Sequence, residues 1–387
     1  MRAPAGVAAC LCAAAAVPLA AAPAAAQDVP CVAPAPAAVP APPPWAAELR
    51  RFATGAGVRV AVVDTGVSPS PELGRLVGGT DLVAPDAPDP LFDCDGHGTV
   101  VAGIIGAATT GIAPGAEILS VRQTSAHYRN RREGDAVEAS GSLRSLTEAI
   151  HAALDEHARV INVSVVSCVD RRDAAAVDAS ALDDALGRAE AEGAVVVAAA
   201  GNVSDTCPQG AHVFPSHSPT VLAVGARDGS HTVAGFSVAP PAGAPLLTAP
   251  GTVDTGLSWA GGGFARGSAP DRDTVTPFTG TSFAAPVVSA TAALLLERDP
   301  QLSAAEVRRH IADAAQPAGG AVDPLAVVTH VPDAAERSVE PLRLAPASRR
   351  VSPALQRAAL VAGALSAALA LAGAAAVVRR EWRRGRQ

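Results

Sequence analysis

Three residues of this chain have types and surroundings suited to acyl transfer. Asp64 ends the run Ala61-Val62-Val63-Asp64-Thr65-Gly66. His97 lies in Asp95-Gly96-His97-Gly98-Thr99-Val100-Val101-Ala102-Gly103, and Ser282 lies in Gly280-Thr281-Ser282-Phe283-Ala284-Ala285-Pro286. A serine hydroxyl is a weak nucleophile until a base takes its proton. Histidine titrates near neutrality and can be that base. A carboxylate at the far side of the ring fixes the imidazole tautomer and stabilises the imidazolium that forms. Ser282 opens a stretch expected to be helical to about Glu297. Backbone N–H groups at a helix N-terminus lack intrahelical partners and can stabilise an oxyanion beside the hydroxyl. The small residues around His97 let a helix begin at the histidine and pack closely on a sheet. A fourth segment, Ala199-Ala200-Gly201-Asn202, puts an amide side chain just past a strand end. The histidines at 127, 151, 157, 212, 217, 231 and 310 have no such motif and read as surface or packing residues.

Positioning these groups requires a sheet with its strand ends at the site. The β-branched runs Val58–Val63, Glu117–Val121, Val160–Val166, Ala194–Ala199 and Val221–Val224 read as buried strands. Between them, Ser142–His157 and Ser180–Glu192 carry Ala and Leu at helical spacing, with charges on the opposite face. Strand–helix alternation implies an α/β domain with a mainly parallel sheet and helices on both faces. In such domains the active groups collect at the C-terminal strand ends. Hydrophobic residues are 49% of the chain and aromatics only 3%, so the core is expected to be built from Ala, Val, Leu and Ile. The formal net charge of −7 gives no footprint for a nucleic-acid partner.

Both ends are apolar. Residues 1–26 read as a signal peptide: Arg2 supplies the positive start, an apolar run extends from Gly6 to about Leu19, and Ala24 and Ala26 precede Gln27 in an A-x-A pattern. Pro4, Pro18 and Pro23 argue against a buried helix there. Residues 27–56 form a Pro-rich extension, expected to be extended and free of helix. Ala358–Val378 is uncharged and, at about 1.5 Å per residue, spans roughly 30 Å, the hydrocarbon thickness of a bilayer. The Arg-rich tail, residues 379–387, would stay cytoplasmic, leaving everything before the span outside. Residues 331–357 read as a Pro-rich linker. Cys10 and Cys12 would leave with the signal. The remaining Cys31, Cys94, Cys168 and Cys207 suit two disulfides, with three possible connectivities. No pair has C-x-x-C spacing, which argues against a metal site.

The Asp64, His97 and Ser282 motifs, in that order and with the Asn202 segment, resemble the subtilisin family of serine peptidases. The resemblance runs from about Val58 to His330. It implies a three-layer subtilisin-like domain over 57–330, endopeptidase activity on a protein or peptide, and no cofactor or metal. It makes Asn202 the second oxyanion donor and places substrate along Ser164, Val165, Val166, Ala200 and Gly201. Val166 stands where the family typically has a glycine that opens the primary specificity pocket, so a narrowed wall and restricted specificity are expected.

The two apolar ends, the Pro-rich extension and the cysteine positions resemble, more narrowly, the mycosins. These are membrane-anchored subtilisin-like proteases of actinobacterial type VII secretion systems. That resemblance implies the pairs Cys31–Cys94 and Cys168–Cys207, and a secretion membrane complex as a partner. A structural subunit with secondary peptidase activity is the alternative within the same machinery. The polar insertion Gln123–Gly141, with Arg129, Arg131 and Arg132 ahead of Glu133, Asp135 and Glu138, reads either as a solvated loop or as a contact to substrate or partner.

Overall fold

The computed structural model describes residues 31–127, 141–331 apart from 230, 231, 242, 246, 272 and 318, and 353–384 with 386. The expected signal peptide, most of the insertion and most of the linker lie outside the described residues. The chain divides into two units, residues 1–332 and 333–387.

In chain order the first unit contains β1 (Ala33–Ala37), α1 (Ala46–Leu49), β2 (Arg59–Asp64), β3 (Leu76–Asp81), α2 (His97–Gly106), β4 (Glu117–Arg122), α3 (Leu143–Asp155), β5 (Val160–Val163), β6 (Ser167–Val169) and α4 (Ser180–Ala191). It continues with β7 (Val195–Ala199), β8 (His212–Phe214), β9 (Val221–Arg227), β10 (Leu247–Pro250), β11 (Thr252–Val253), β12 (Gly256–Leu257), β13 (Phe264–Ala269), β14 (Phe278–Thr279), α5 (Thr281–Arg298), α6 (Ala304–Ala314) and α7 (Pro324–Thr329). Seven strands form one parallel sheet in the order β10-β9-β7-β5-β2-β4-β3.

Alternation along the strands builds the layers, because successive side chains leave opposite faces of a sheet. Val60, Val62, Val195 and Val197 join one buried cluster with α2 and α5. Ala61, Val63, Val196 and Ala198 join another with α3 and α4. The result is the expected three layers. α5 is buried almost all round, from Thr281 to Leu296, as an apolar central helix must be. Its alanines let it lie close to the sheet where larger side chains would hold it off. The expected run Val160–Val166 ends earlier, at Val163, because the chain leaves the sheet at Ser164 to form the separate β6–β8 pair.

The extension differs from its expected form. β1 pairs antiparallel with β13, from Ala33 opposite Ala269 to Ala37 opposite Phe264. Pro34 and Pro36 are tolerated because β1 is the edge strand of its three-stranded sheet. After Pro44 the chain makes one helical turn, α1, against the expectation of no helix. A single turn has no stability of its own. Leu49 is buried in the cluster around α2 and α5, and that docking holds the turn. Trp45 is partly exposed and, with Pro40, Pro43 and Leu49, lines a cavity of about 610 Å³ that reaches Ile104 and Phe283. Both disulfides implied by the mycosin resemblance are formed, Cys31–Cys94 and Cys168–Cys207, with Cα separations of 4.7 and 5.3 Å.

In the second unit, α8 (Pro353–Arg384) contains the expected span 358–378 and is long and apolar enough to cross a membrane.

Candidate active site

Asp64 is the last residue of β2, at the C-terminal edge of the sheet. Its carboxylate is buried, and Oδ1 accepts hydrogen bonds from the Thr65 N–H at 2.8 Å and from His97 Nδ1 at 2.7 Å. His97 is the first residue of α2. With Nδ1 bonded to Asp64, the other ring nitrogen is the one left to handle a proton. Burial pulls the His97 pKa down, but the Asp64 charge and hydrogen bond, with the charges of Asp93 and Asp95, outweigh it and raise the pKa above the usual histidine value.

The loop before His97 is fixed on both sides. Gly96 has φ +80°, a left-handed conformation suited to glycine, and a Cβ there would stand 2.2 Å from the Trp259 ring. Trp259 is itself held by Nε1 donating to the Val32 carbonyl of the extension at 2.9 Å. On the inner side lies the buried carboxylate of Asp93. It accepts from Thr65 Oγ1, the N–H groups of Asp95 and Gly96, and both the N–H and Oγ1 of Thr99. Asp95 turns outward and accepts from Ser125 Oγ at 2.5 Å and the Ala126 N–H at 2.9 Å, with His127 Nε2 3.6 Å away.

Ser282 is the second residue of α5 and is buried. The N-cap, Gly280, gives no side-chain cap, so the Ser282 N–H in the first turn has no acceptor inside the helix. The His97 ring lies against Phe283, with centroids 5.1 Å apart, which brings the start of α2 to the start of α5. Ser282 Oγ makes no hydrogen bond among the described residues. Asn202, just past β7, has its Oδ1 taken by the Thr281 N–H at 2.9 Å and Thr281 Oγ1 at 3.0 Å. That assignment leaves Nδ2 as the outward donor. A Cβ on Gly280 would stand 3.0 Å from Asn202 Nδ2 and 3.2 Å from Ser282 Oγ, so the glycine leaves open the space between the two.

The expected substrate wall is split in role. The Ser164 hydroxyl points inward, donating to the Ser282 carbonyl at 2.9 Å and accepting from Asn162 Nδ2 at 2.8 Å, while Asn162 Oδ1 accepts from Ser289 Oγ at 2.8 Å. This buried chain ties α5 to β5 and leaves only the Ser164 backbone for a substrate. Val165 is partly exposed, and Val166 packs on the cluster of Cys207, Val213 and Val238. Ala200 is buried and donates to Val224, while the Gly201 N–H donates to Thr281 Oγ1 at 3.2 Å. Thr281, Asp93 and Asn162 were not singled out in the sequence as functional. Thr281 and Asp93 had one signal, a hydrogen-bonding residue one place before Ser282 and four before His97. Among the described residues no group of three or more His, Cys, Asp or Glu could hold a metal ion.

A parallel sheet carrying Asp–His at one strand end and a serine at the mouth of a central helix defines a serine peptidase of the subtilisin class. Residues 55–338 match the Subtilase family, Peptidase S8, and the chain belongs to that family. It is similar to Mycosin-1 of Mycolicibacterium smegmatis, with 35% identity over 76% of this chain and 75% of that protein. It also resembles the crystal structure of MycP1 from the ESX-1 type VII secretion system, with 32% identity, TM-score 0.71, and coverage of 81% of this chain and 93% of that one. A chain in the structure of an intact ESX-5 inner membrane complex matches with 31% identity, TM-score 0.71, and coverage of 90% and 94%. Within the subtilases the protein is a mycosin-type serine endopeptidase.

Proposed function

We propose that this protein is a membrane-anchored endopeptidase in which Ser282 attacks the scissile carbonyl, His97 takes its proton and Asp64 holds the ring. The observation that carries this reading is the 2.7 Å Asp64–His97 hydrogen bond, at a strand end where the His97 ring meets Phe283 in the first turn of the helix that holds Ser282. The Ser282 N–H and Asn202 Nδ2 stabilise the oxyanion of the tetrahedral intermediate. Collapse expels the amine, which receives the proton from His97, and water repeats the cycle on the acyl-enzyme. In the free enzyme such catalytic hydrogen bonds are commonly loose and tighten with substrate. Substrate lies along the backbone of 164–166 and Ala200–Gly201, with Val166 narrowing the first pocket.

The span 358–378 anchors residues 57–330 outside the membrane, with the basic tail cytoplasmic. The match to a chain of the ESX-5 inner membrane complex supports work beside a type VII secretion complex. A fluorophosphonate probe tests the chemistry without a known substrate. The wild-type chain should label at one serine and Ser282→Ala should not. Labelling that survives Ser282→Ala would overturn the assignment. The same match favours a second reading, a structural subunit whose proteolysis is secondary. Secretion restored by Ser282→Ala in a deletion strain would select it.

A further inference from the structure

We propose that Asp93 is a positioning residue of the acid–base pair: its buried carboxylate fixes the strand end that carries Asp64 against the helix start that carries His97. This role presupposes the Ser282–His97–Asp64 reading above.

The geometry is a pair of crossed links that share one carboxylate. Thr65 follows Asp64. Its Oγ1 donates to Asp93 Oδ1 at 2.9 Å and accepts from the Gly98 N–H, just past His97, at 3.0 Å. Thr99 lies on α2. Its Oγ1 donates to Asp93 Oδ2 at 2.7 Å and accepts from the Ser68 N–H, on the chain leaving β2, at 2.9 Å. A hydroxyl has one proton and two lone pairs. Because Asp93 takes both protons, each threonine turns a lone pair toward the N–H of the opposite segment. Asp93 also accepts from the Gly96 N–H at 2.7 Å and the Thr99 N–H at 2.9 Å, so the residues either side of His97 hang from it directly. In every contact that Asp93 itself makes here it is the acceptor. A buried carboxylate costs solvation, and burial raises its pKa to about 6 against the opposing hydrogen bonds. It is therefore ionised at neutral pH, where it also adds negative charge near the ring.

Asn at position 93 has the same shape but an NH₂ in place of one oxygen. Whichever way it turns, a donor faces donors, and one crossed link opens. A displacement of about 1 Å at a reacting group costs on the order of 10²-fold in rate. The charged groups facing His97 are Asp64 from β2 and Asp93 and Asp95 from its own loop, with His127 facing Asp95 from the segment after β4. α5 and the Trp259 turn present Phe283 and Trp259, both uncharged.

The test uses the full-length chain in detergent and a fluorophosphonate. Ser282 Oγ bonds to phosphorus, the P–F bond breaks and fluoride leaves, and the hydroxyl proton passes to His97. The readouts are kinact, KI and the pH dependence of kinact/KI, scaled to folded protein by calorimetry. For Asp93→Asn we expect kinact to fall about 10–10²-fold with KI unchanged, and the acid limb to move to lower pH as His97 loses a negative neighbour. For Thr65→Val, which opens one link but keeps the charge, we expect a fall in kinact with the acid limb in place. A merely structural Asp93 would lower the melting temperature and leave kinact and the acid limb of the folded fraction at wild-type values, which overturns the proposal. If Asp93→Asn yields no folded protein, Thr65→Val decides: a wild-type kinact refutes the role and a loss with unchanged KI supports it. A wild-type chain that fails to label overturns the Ser282 reading, and this proposal with it.

Discussion

Releasing the N-terminal extension separates two roles it could have, a structural strap or an inhibitory propeptide. The perturbation is Cys31→Ala with Cys94→Ala, which leaves Cys168–Cys207 intact. The bond closes a loop with a sequence separation of 63, and the chain-entropy relation gives about 4 kcal/mol for a loop of that size. In a domain of this size 1 kcal/mol corresponds to about 2–4 °C, so the melting temperature should fall by about 8–16 °C. A second perturbation, Leu49→Ala, removes the buried anchor of α1 and should cost about 2–5 kcal/mol without touching the disulfide. Calorimetry on the chain from residue 27 onward measures the first quantity, and fluorophosphonate labelling per folded molecule measures accessibility of the serine. A strap predicts a large fall in melting temperature and no gain in labelling rate. A tenfold or greater gain in labelling with an unchanged melting temperature would show that the extension inhibits, and the strap reading would be wrong.

Asn202→Leu keeps the size of the side chain but removes the donor proposed for the oxyanion. It should cost about 10²–10³-fold in kcat, the loss typical of removing one oxyanion donor, and steady-state kinetics on any cleaved peptide should show KM nearly unchanged. The raised pKa of His97 sets the pH response. A protonated ring cannot act as base, so kcat/KM should be lost as pH falls through a midpoint above 6.5. Stability runs the other way: a raised folded-state pKa contributes stability in full below the unfolded value and loses it as pH rises through the folded one. For Asp93 that window runs from 3.8 to about 6. Denaturant unfolding should therefore show the Asp93 contribution declining between pH 4 and 6, and the His97 contribution intact there and declining only above 6.5, where activity rises. Val166→Gly should widen the primary pocket, and a peptide library should show bulkier side chains accepted at the cleaved position. An unchanged profile would place the pocket wall elsewhere.

The identity of the chemistry was legible in the sequence because it depends on local features. A strand must end at Asp64, a helix must start at His97 and another at Ser282, and short runs of β-branched and small residues encode those boundaries directly. The alternation of strands and helices likewise required a layered α/β fold. The C-terminal apolar helix was legible for the same reason, since length and composition alone decide whether a helix is long and apolar enough to cross a bilayer. The helix turn after Pro44 was not, because its stability comes from Leu49 docking into a core formed by residues far along the chain. Nor was the early end of β5, which follows from the pairing of β6 with β8. The roles of Asp93, Thr281 and Asn162 also waited for the tertiary structure. Each is a common polar residue whose meaning lies in what it touches: Asp93 joins two segments through Thr65 and Thr99, Thr281 turns the Asn202 amide outward, and Asn162 ties α5 to β5. Hydrogen bonds between residues tens of positions apart leave no local pattern, so the sequence supplied the candidate groups and the fold decided how they are held.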